Sequence, residues 1–212
     1  MEKIDFTIVG DGSSDACLLP IVSWILRDEF SLKPINGEWA DFKHLRHPPK
    51  TLPERIYRAI EFYEPNLLFV HRDAEKQDPQ FRYNEISNAL NDLKKKNEPI
   101  KIPHICIVPI RMTEAWLLFD EPAIRKAAGN PNGKIALNLP RLRNIETLPD
   151  PKQTLFDTLT IASELRGRQR QKFDPERHRH LVAEYIEDFS QLSSLTAFQR
   201  LQEDVRQLRK HH

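Results

Sequence analysis

The stretch that decides the fold is IDFTIVGDGSSD, residues 4–15. Its first half, Ile4 to Val9, is rich in β-branched and aromatic residues and predicts a buried strand. The second half is a loop of glycine, serine and aspartate, and an apolar helical pattern follows from about Asp15 to Phe30. The stretch therefore predicts the first strand, loop and helix of an α/β domain.

The same order of strand, acidic loop and helix recurs twice along the chain. Residues 66–70 and 103–110 predict two further buried strands, and each is followed by acidic residues and a helical pattern. A weaker strand or irregular segment is expected around residues 35–42. Alternation of this kind indicates right-handed βαβ crossovers and a mostly parallel sheet. The predicted fold class is therefore α/β, with a parallel sheet flanked by helices.

The character of the sequence changes at about residue 120. The remainder predicts helices over residues 151–165, 174–189 and 194–208, with no convincing strand. We therefore expect an α/β domain over residues 1–120 and a helical extension, residues 121–212, that packs on it.

Composition excludes several classes of protein. Hydrophobic residues make up 39% and charged residues 30% of the 212 residues, which is typical of a globular chain with one core. Because 32 Lys and Arg nearly cancel 31 Asp and Glu, no overall field favours nucleic acid or membrane.

The two cysteines, Cys17 and Cys106, lie in apolar runs and indicate reduced core thiols. Without a secretion signal or membrane span, the expected location is the cytoplasm.

Acidic residues follow each of the three clearest strands. Asp11 and Asp15 follow the first strand, Asp73 and Glu75 the next, and Glu114 opens the helix after the last. The loops at the carboxyl ends of parallel strands share one edge, where ligands bind. Carboxylates brought together there repel one another unless a cation neutralises them. The pattern therefore predicts a site for Mg²⁺ or Mn²⁺.

The spacing of Asp73 and Glu75 allows both carboxylates to face one metal, because alternate residues of an extended chain point the same way. A single triplet of this kind also occurs at solvated strand ends and helix caps, so that interpretation stays open. Arg72 and Arg111 each lie close to a proposed ligand, where a guanidinium can bind a phosphate or pair with the acids.

Basic residues outside the strand ends offer a second candidate surface. The densest run includes Arg166 and Arg168 and indicates either a phosphate-binding segment or a solvated helix end. The tryptophans are interpreted as core or interface residues, and the lone histidines, His71 among them, as structural.

Two motifs resemble a known family. The loop Asp11-Gly12-Ser13-Ser14-Asp15, with Asp73-Ala74-Glu75 after a later strand, resembles a degenerate Toprim signature. The run PIRMTEAWLL, residues 109–118, is similar to a motif of small Toprim-like bacterial proteins grouped as the domain of unknown function DUF4276. The resemblance covers about the first 120 residues and continues less sharply through Asp150-Pro151-Lys152.

The resemblance implies a four-stranded parallel Toprim sheet with a metal-dependent phosphotransfer site, as in topoisomerases, primases and OLD-type nucleases. Asp11 takes the place of the family's Glu, and Asp73 and Glu75 take the places of its Asp-x-Asp pair. These three would be metal ligands together with Asp15, and Glu114 a ligand or the group that orients water. Phosphate contacts would come from the basic residues Arg72, Arg111, Lys152, Arg166 and Arg168.

The resemblance also implies a setting and leaves three functions open. Related genes often lie beside an ATPase of the ABC or SMC type in phage-defence systems. The first hypothesis is a Mg²⁺-dependent nuclease that acts on DNA or RNA with such a partner. The second is a catalytically inactive binding module that docks on the ATPase, and the third is a phosphotransferase or phosphatase acting on a small nucleotide. A topoisomerase or primase is not favoured, since the chain is too short and has no zinc motif.

Overall fold

A single parallel sheet forms the centre of the protein in a computed structural model that describes residues 2–95 and 101–210. The four strands are β1 (Ile4–Val9), β2 (Ile35–Trp39), β3 (Leu67–His71) and β4 (His104–Ile107). They lie in the order β2-β1-β3-β4, and every neighbouring pair is parallel. The predicted α/β fold with a four-stranded parallel sheet is therefore confirmed.

Helices flank the sheet and form the second half of the chain. They are α1 (Leu18–Glu29), α2 (Leu52–Tyr63), α3 (Pro79–Lys95), α4 (Glu121–Ala127), α5 (Pro151–Ala162), α6 (Gly167–Lys172), α7 (Pro175–Tyr185) and α8 (Thr196–Lys210). Short 3-10 helices occur at Ser13–Cys17, Thr113–Leu117, Leu142–Thr147 and Ser190–Ser194. Beyond residue 120, the described part of the chain contains no strand, as the sequence predicts.

The two faces of the sheet have separate cores because successive strand residues point to opposite faces. Phe6 and Phe69 meet edge to face, with ring centroids 5.5 Å apart, in a cluster that continues into α1 and the C-terminal helices. Leu68 and Val70 face the other way, toward α2 and α3. The C-terminal helices therefore extend the core on one face of the sheet only.

Capping residues fix where the later helices begin. Three of these helices start at an aspartate whose side chain accepts a backbone N–H, with proline in the first turn. These caps are Asp120, Asp150 and Asp174, at 2.9, 2.9 and 3.1 Å. Each cap satisfies a donor that the first helical turn would otherwise leave open.

The structure corrects two boundaries near the sheet edge. The helix expected from Asp15 begins as the 3-10 helix Ser13–Cys17, and α1 starts only at Leu18. The segment after β4, expected to open a helix, continues alongside the β3 loop, where Ala74 N–H and Glu75 N–H donate to the carbonyls of Pro109 and Arg111. These backbone bonds draw the chain across the edge before it turns into the 3-10 helix Thr113–Leu117.

The two cysteines and the three tryptophans lie in or against the hydrophobic clusters. Cys17 and Cys106 are free thiols, the first buried and the second half-buried. Trp116 is fully buried, whereas Trp39 is half-buried.

Within residues 2–95 and 101–210, no helix combines the length and the apolar character needed to cross a membrane.

Candidate functional site

The acidic residues singled out by sequence lie on the loops and short helices that leave β1, β3 and β4. Asp11 and Asp15 follow β1, Asp73 and Glu75 follow β3, and Glu114 lies in the 3-10 helix after β4. Their backbones therefore share the carboxyl edge of the sheet, where ligands bind in open parallel sheets. Their side chains have different partners, however, and these partners determine which of the acids are open to a ligand.

Asp73 is the acid best placed to bind a ligand. Its Oδ1 accepts hydrogen bonds from the Thr113 N–H at 2.9 Å and from the Thr113 hydroxyl at 3.2 Å. In the part of the chain that the structure describes, Oδ2 has no hydrogen-bond partner. The side chain is 22% exposed, so it is held from the protein side and open on the other.

The buried His71 lies between two of the carboxylates. Its Nδ1 is 3.1 Å from the carbonyl oxygen of Ile107, and because a carbonyl only accepts, Nδ1 carries a proton. Its Nε2 faces Asp73 Oδ1 at 3.5 Å and Asp15 Oδ2 at 3.9 Å. His71 therefore contacts both acids from inside the protein.

The sequence interpretation treats His71 as structural, and its contact with two of the candidate acids was not predicted. One signal was available: His71 and Asp73 are two residues apart on an extended chain, so their side chains point to the same side. This spacing alone is common, and only the fold shows that Asp15 from the β1 loop meets the same ring.

Asp15 serves mainly to fold the β1 loop. Its Oδ2 accepts the backbone N–H groups of Asp11 at 3.0 Å and Gly12 at 3.2 Å, and its Oδ1 accepts the Ser14 hydroxyl at 2.9 Å. A Cβ at Gly10 would lie 2.6 Å from Asp15 Oδ2, so the close approach requires glycine there. Asp15 therefore has less free capacity for a metal than Asp73.

The surroundings of Asp73 shift the pKa of its carboxyl group. Burial raises the pKa of Asp73 to about 6, and the negative charges of Glu114 and Asp15 add to this effect. The charge of His71 and the N–H of Thr113 lower the pKa and limit the rise. A carboxylate whose charge is disfavoured in this way would gain from a bound cation.

Asp11 is neutralised by arginines in this structure. Its carboxylate forms an ion pair with Arg72, and Arg55 Nη1 lies 3.7 Å from Asp11 Oδ1. Arg55 also donates to the carbonyls of Gly10 at 2.5 Å and Asp11 at 2.7 Å. The Asp11 side chain is 58% exposed, so it can turn away from these partners without disturbing the packed core.

Glu75 shares a second arginine network with Glu85 on α3. Arg82 lies 3.4 Å from Glu75 Oε2 and 2.9 Å from Glu85 Oε2, while Glu85 also pairs with Arg72. Although burial works against it, hydrogen bonds from Arg72 and Arg82 hold the pKa of Glu85 below its usual value. Arg82 Nε donates to the Asp73 carbonyl at 2.8 Å. Two cations are thus fixed beside the Asp73 loop.

Arg72 is not fully satisfied by these contacts. Its Nε is buried and has no hydrogen-bond partner among the described residues. An open buried donor on a guanidinium is costly, and an anionic oxygen is the partner it fits best.

Two of the five non-glycine residues with positive φ in the described part of the chain lie at the same place. Glu75 has φ 55° and Arg111 has φ 69°, and Glu75 N–H donates to the Arg111 carbonyl at 2.7 Å. Residues other than glycine rarely adopt this left-handed region, and such strain clusters at functional sites. Within the described ranges, the Arg111 guanidinium has no carboxylate partner, so its charge is available at the edge.

Glu114 is held inside the protein instead of facing the edge. Its Oε1 accepts from Arg179 Nη1 of α7 at 2.5 Å, and both side chains are only 5% exposed. Burial, with the neighbouring charge of Glu114, raises the pKa of the Cys17 thiol well above its usual value. The pair fixes the 3-10 helix that carries Thr113, the residue that holds Asp73.

The three remaining basic candidates lie on the C-terminal helices. Arg166 precedes α6 and Arg168 lies within it, both exposed, and Lys152 lies over the ring of Phe156 at 5.5 Å. No ion pair or hydrogen bond among the described residues joins any of them to the acids of the sheet edge. Among the described residues, these three basic side chains therefore make no contact with Asp73, and their predicted role in phosphate binding stays a prediction.

The fit to a divalent cation is partial. In residues 2–95 and 101–210, no three His, Cys, Asp or Glu side chains are arranged as a ready metal site. Oxygen donors of the right kind are present, however: Asp73 has an open oxygen, and Asp11 and Glu75 are 58% and 62% exposed on adjacent loops. These two acids would have to leave Arg72 and Arg82 to complete a coordination shell.

Comparisons with protein-family models, with curated proteins and with solved structures find no match to this chain.

Proposed function

We propose that this chain is a Toprim-type, divalent-metal-dependent hydrolase of phosphodiester bonds. The observation that carries the proposal is the state of Asp73, a carboxylate fixed by Thr113 with one open oxygen and a pKa raised to about 6. Mg²⁺ or Mn²⁺ would be held by Asp73, with Asp11 and Glu75 completing the set. Such an ion, when bound, polarises a phosphate and lowers the pKa of an attacking water.

The arginine pairs give this site a second property. If Asp11 and Glu75 turned toward a cation, they would release Arg72 and Arg82, and Glu85 would still pair with both arginines. The Arg72 Nη1 given up by Asp11, and Arg111, which has no carboxylate partner among the described residues, would then be donors for a phosphate at the edge. Metal binding and phosphate binding would thus be coupled through the same side chains.

His71 and Glu114 support Asp73 in different ways. His71 Nε2 lies 3.5 Å from Asp73 Oδ1, and its Nδ1–H is bonded to the Ile107 carbonyl, so the ring keeps a fixed position beside the acid. Glu114, buried on Arg179, positions Thr113 and through it Asp73. We therefore assign Glu114 a positioning role in place of the metal-ligand or water-orienting role that the sequence suggested.

The substrate, partner and setting rest on the resemblance alone. The proposal is a nuclease of DNA or RNA that works with an ABC- or SMC-type ATPase in anti-phage defence, in the cytoplasm.

The proposal is tested by incubating the protein with single- and double-stranded DNA, RNA and tRNA, with and without the neighbouring gene product, in Mg²⁺ or Mn²⁺. Cleavage should require metal and be lost in Asp73→Asn. Glu61→Gln should leave cleavage unchanged, because this exposed acid on α2 pairs with Arg58 alone among the described residues. Equal cleavage by wild type and Asp73→Asn would exclude Asp73 as the metal ligand.

A specific observation favours a second candidate, the inactive binding module. Asp11 and Glu75 are already neutralised by Arg72 and Arg82, and the described residues form no ready metal cluster. In that case the arginines replace the cation and the edge is a rigid surface for a protein partner. Stable binding to the ATPase without any metal-dependent cleavage would favour this candidate.

A further inference from the structure

A cavity of about 310 Å³ opens beside the β1 loop, next to the proposed metal site. Its walls include Gly10 and Asp11 of that loop, the aromatic rings of Trp39 and Phe42, and Pro49 and Arg55. A pocket with a largely apolar lining and a few fixed polar groups is the usual form of a small-molecule site. Its volume is near the lower end of the range of about 300–1,000 Å³ for such sites.

The indole of Trp39 is fixed against the site loop. Trp39 ends the edge strand β2, in register with Ile8 of β1. A Cβ at Gly10 would lie 2.6 Å from Trp39 Cη2, so the ring lies directly on the backbone of Gly10. The side chain is only half-buried, and it lines the cavity with the surface that the protein leaves uncovered.

The remaining walls are also held in place. Ala40 N–H donates to the Ile8 carbonyl at 3.0 Å, and Tyr63 Oη accepts the Asp41 N–H at 2.9 Å. Phe42 packs against the hydrophobic cluster beneath α2. Two aromatic rings are therefore presented by a rigid frame and need no ordering when a ligand binds.

Arg55 joins the cavity to the acidic edge. Its Nη1 donates to the carbonyls of Gly10 and Asp11 and lies 3.7 Å from the Asp11 carboxylate, and the same guanidinium lines the cavity. A planar ring in the cavity would stack on the aromatic side chains, and a phosphate attached to it beyond Asp11 would lie near the arginines. A nucleotide unit has this combination.

We propose that the cavity binds one nucleobase of a single-stranded nucleic acid by stacking on Trp39 and Phe42, with the adjoining phosphate directed to the acidic edge. The placement of the phosphate rests on the proposed function, but base binding itself requires no metal and no cleavage.

The test measures binding in EDTA, so that no hydrolysis occurs. Fluorescence anisotropy compares two labelled oligonucleotides of equal length, one with thymine bases and one with the same sugar-phosphate chain lacking bases. Wild type should bind the base-bearing chain more tightly. Trp39→Leu should weaken that binding roughly 5- to 150-fold, as expected for loss of one stacked base, and leave the abasic chain unaffected.

Matched variants separate stacking from damage to the fold. Trp39→Phe should retain most of the affinity, and Phe62→Leu, which changes an aromatic residue 49% exposed outside the cavity, should retain all of it. If Trp39→Leu fails to fold, Phe42→Leu replaces it.

Equal affinity for the two oligonucleotides, or wild-type affinity in a folded Trp39→Leu protein, would overturn the proposal. Base-dependent binding without Mg²⁺-dependent cleavage would support the base-binding cavity and contradict the proposed hydrolase.

Discussion

The buried pair of Glu114 and Arg179 yields the strongest stability prediction. The two side chains are 5% exposed and joined at 2.5 Å, so Arg179→Leu leaves the carboxylate of Glu114 buried without its cation. Removing one partner of such a pair costs about 3–5 kcal/mol. For a chain of this size, each kcal/mol lowers the melting temperature by about 2–4 °C. We therefore expect a melting temperature lower by roughly 6–20 °C.

The assay is thermal and urea unfolding followed by circular dichroism at pH 7. Arg177→Leu is the matched control, because this neighbouring arginine of α7 is 82% exposed and its one acidic partner in the described part of the chain is Asp174, at 3.2 Å. That change should alter the free energy of unfolding by less than about 0.5 kcal/mol. The double variant Glu114→Leu/Arg179→Leu should be less destabilised than Arg179→Leu alone, since no unpaired charge remains. Wild-type stability in Arg179→Leu would refute the argument that this pair fixes the edge.

Three further predictions concern the sheet edge. Asp73 has its folded-state pKa raised from 3.8 to about 6, so the folded protein binds more protons and stability falls as the pH rises through that window. Urea unfolding should therefore show Asp73→Asn more stable than wild type at pH 8 by up to about 3 kcal/mol, and nearly equal to it at pH 4; a constant difference would contradict this. Gly10→Ala should destabilise by about 1–3 kcal/mol in the same assay because its Cβ meets atoms at 2.6 Å, whereas Gly12→Ala, whose nearest neighbour is at 3.4 Å, should not. Arg111→Gly and Glu64→Gly each relieve a left-handed residue, at φ 69° and 45°, and should keep or raise the melting temperature; only Arg111→Gly should weaken binding of an oligonucleotide.

The sequence was sufficient to predict the sheet because the strands are short apolar runs followed by acidic loops. The run from Ile4 to Val9 is buried along most of its length, and no helical periodicity competes with it. The second edge strand, β2, was only a weak signal, since its residues Ile35–Trp39 are largely exposed and include Gly37. Phe6 explains that glycine: a Cβ at Gly37 would lie 2.1 Å from its ring. Such a contact across strands is not visible in the sequence.

For the candidate site, the sequence predicts on which edge of the sheet the acids lie, but not which side chains they pair with. Strand ends place Asp11, Asp73 and Glu75 on one edge, but side-chain partners come from elements distant in sequence. Arg179 lies 65 residues from Glu114, and its pairing buries an acid that the sequence predicts to be catalytic. Arg55 reaches the Asp11 loop from 44 residues away. Pairings over such separations depend on how helices pack, which local patterns do not specify.

The central claim is that Asp73 binds a divalent cation at the carboxyl edge of the sheet. Isothermal titration calorimetry with Mn²⁺ at pH 8 tests it without a substrate. We predict saturable binding to the wild-type protein, weaker by at least about tenfold in Asp73→Asn and unchanged in Glu61→Gln. A wild-type protein that shows no Mn²⁺ binding, or an Asp73→Asn variant that binds Mn²⁺ as the wild type does, would contradict the claim.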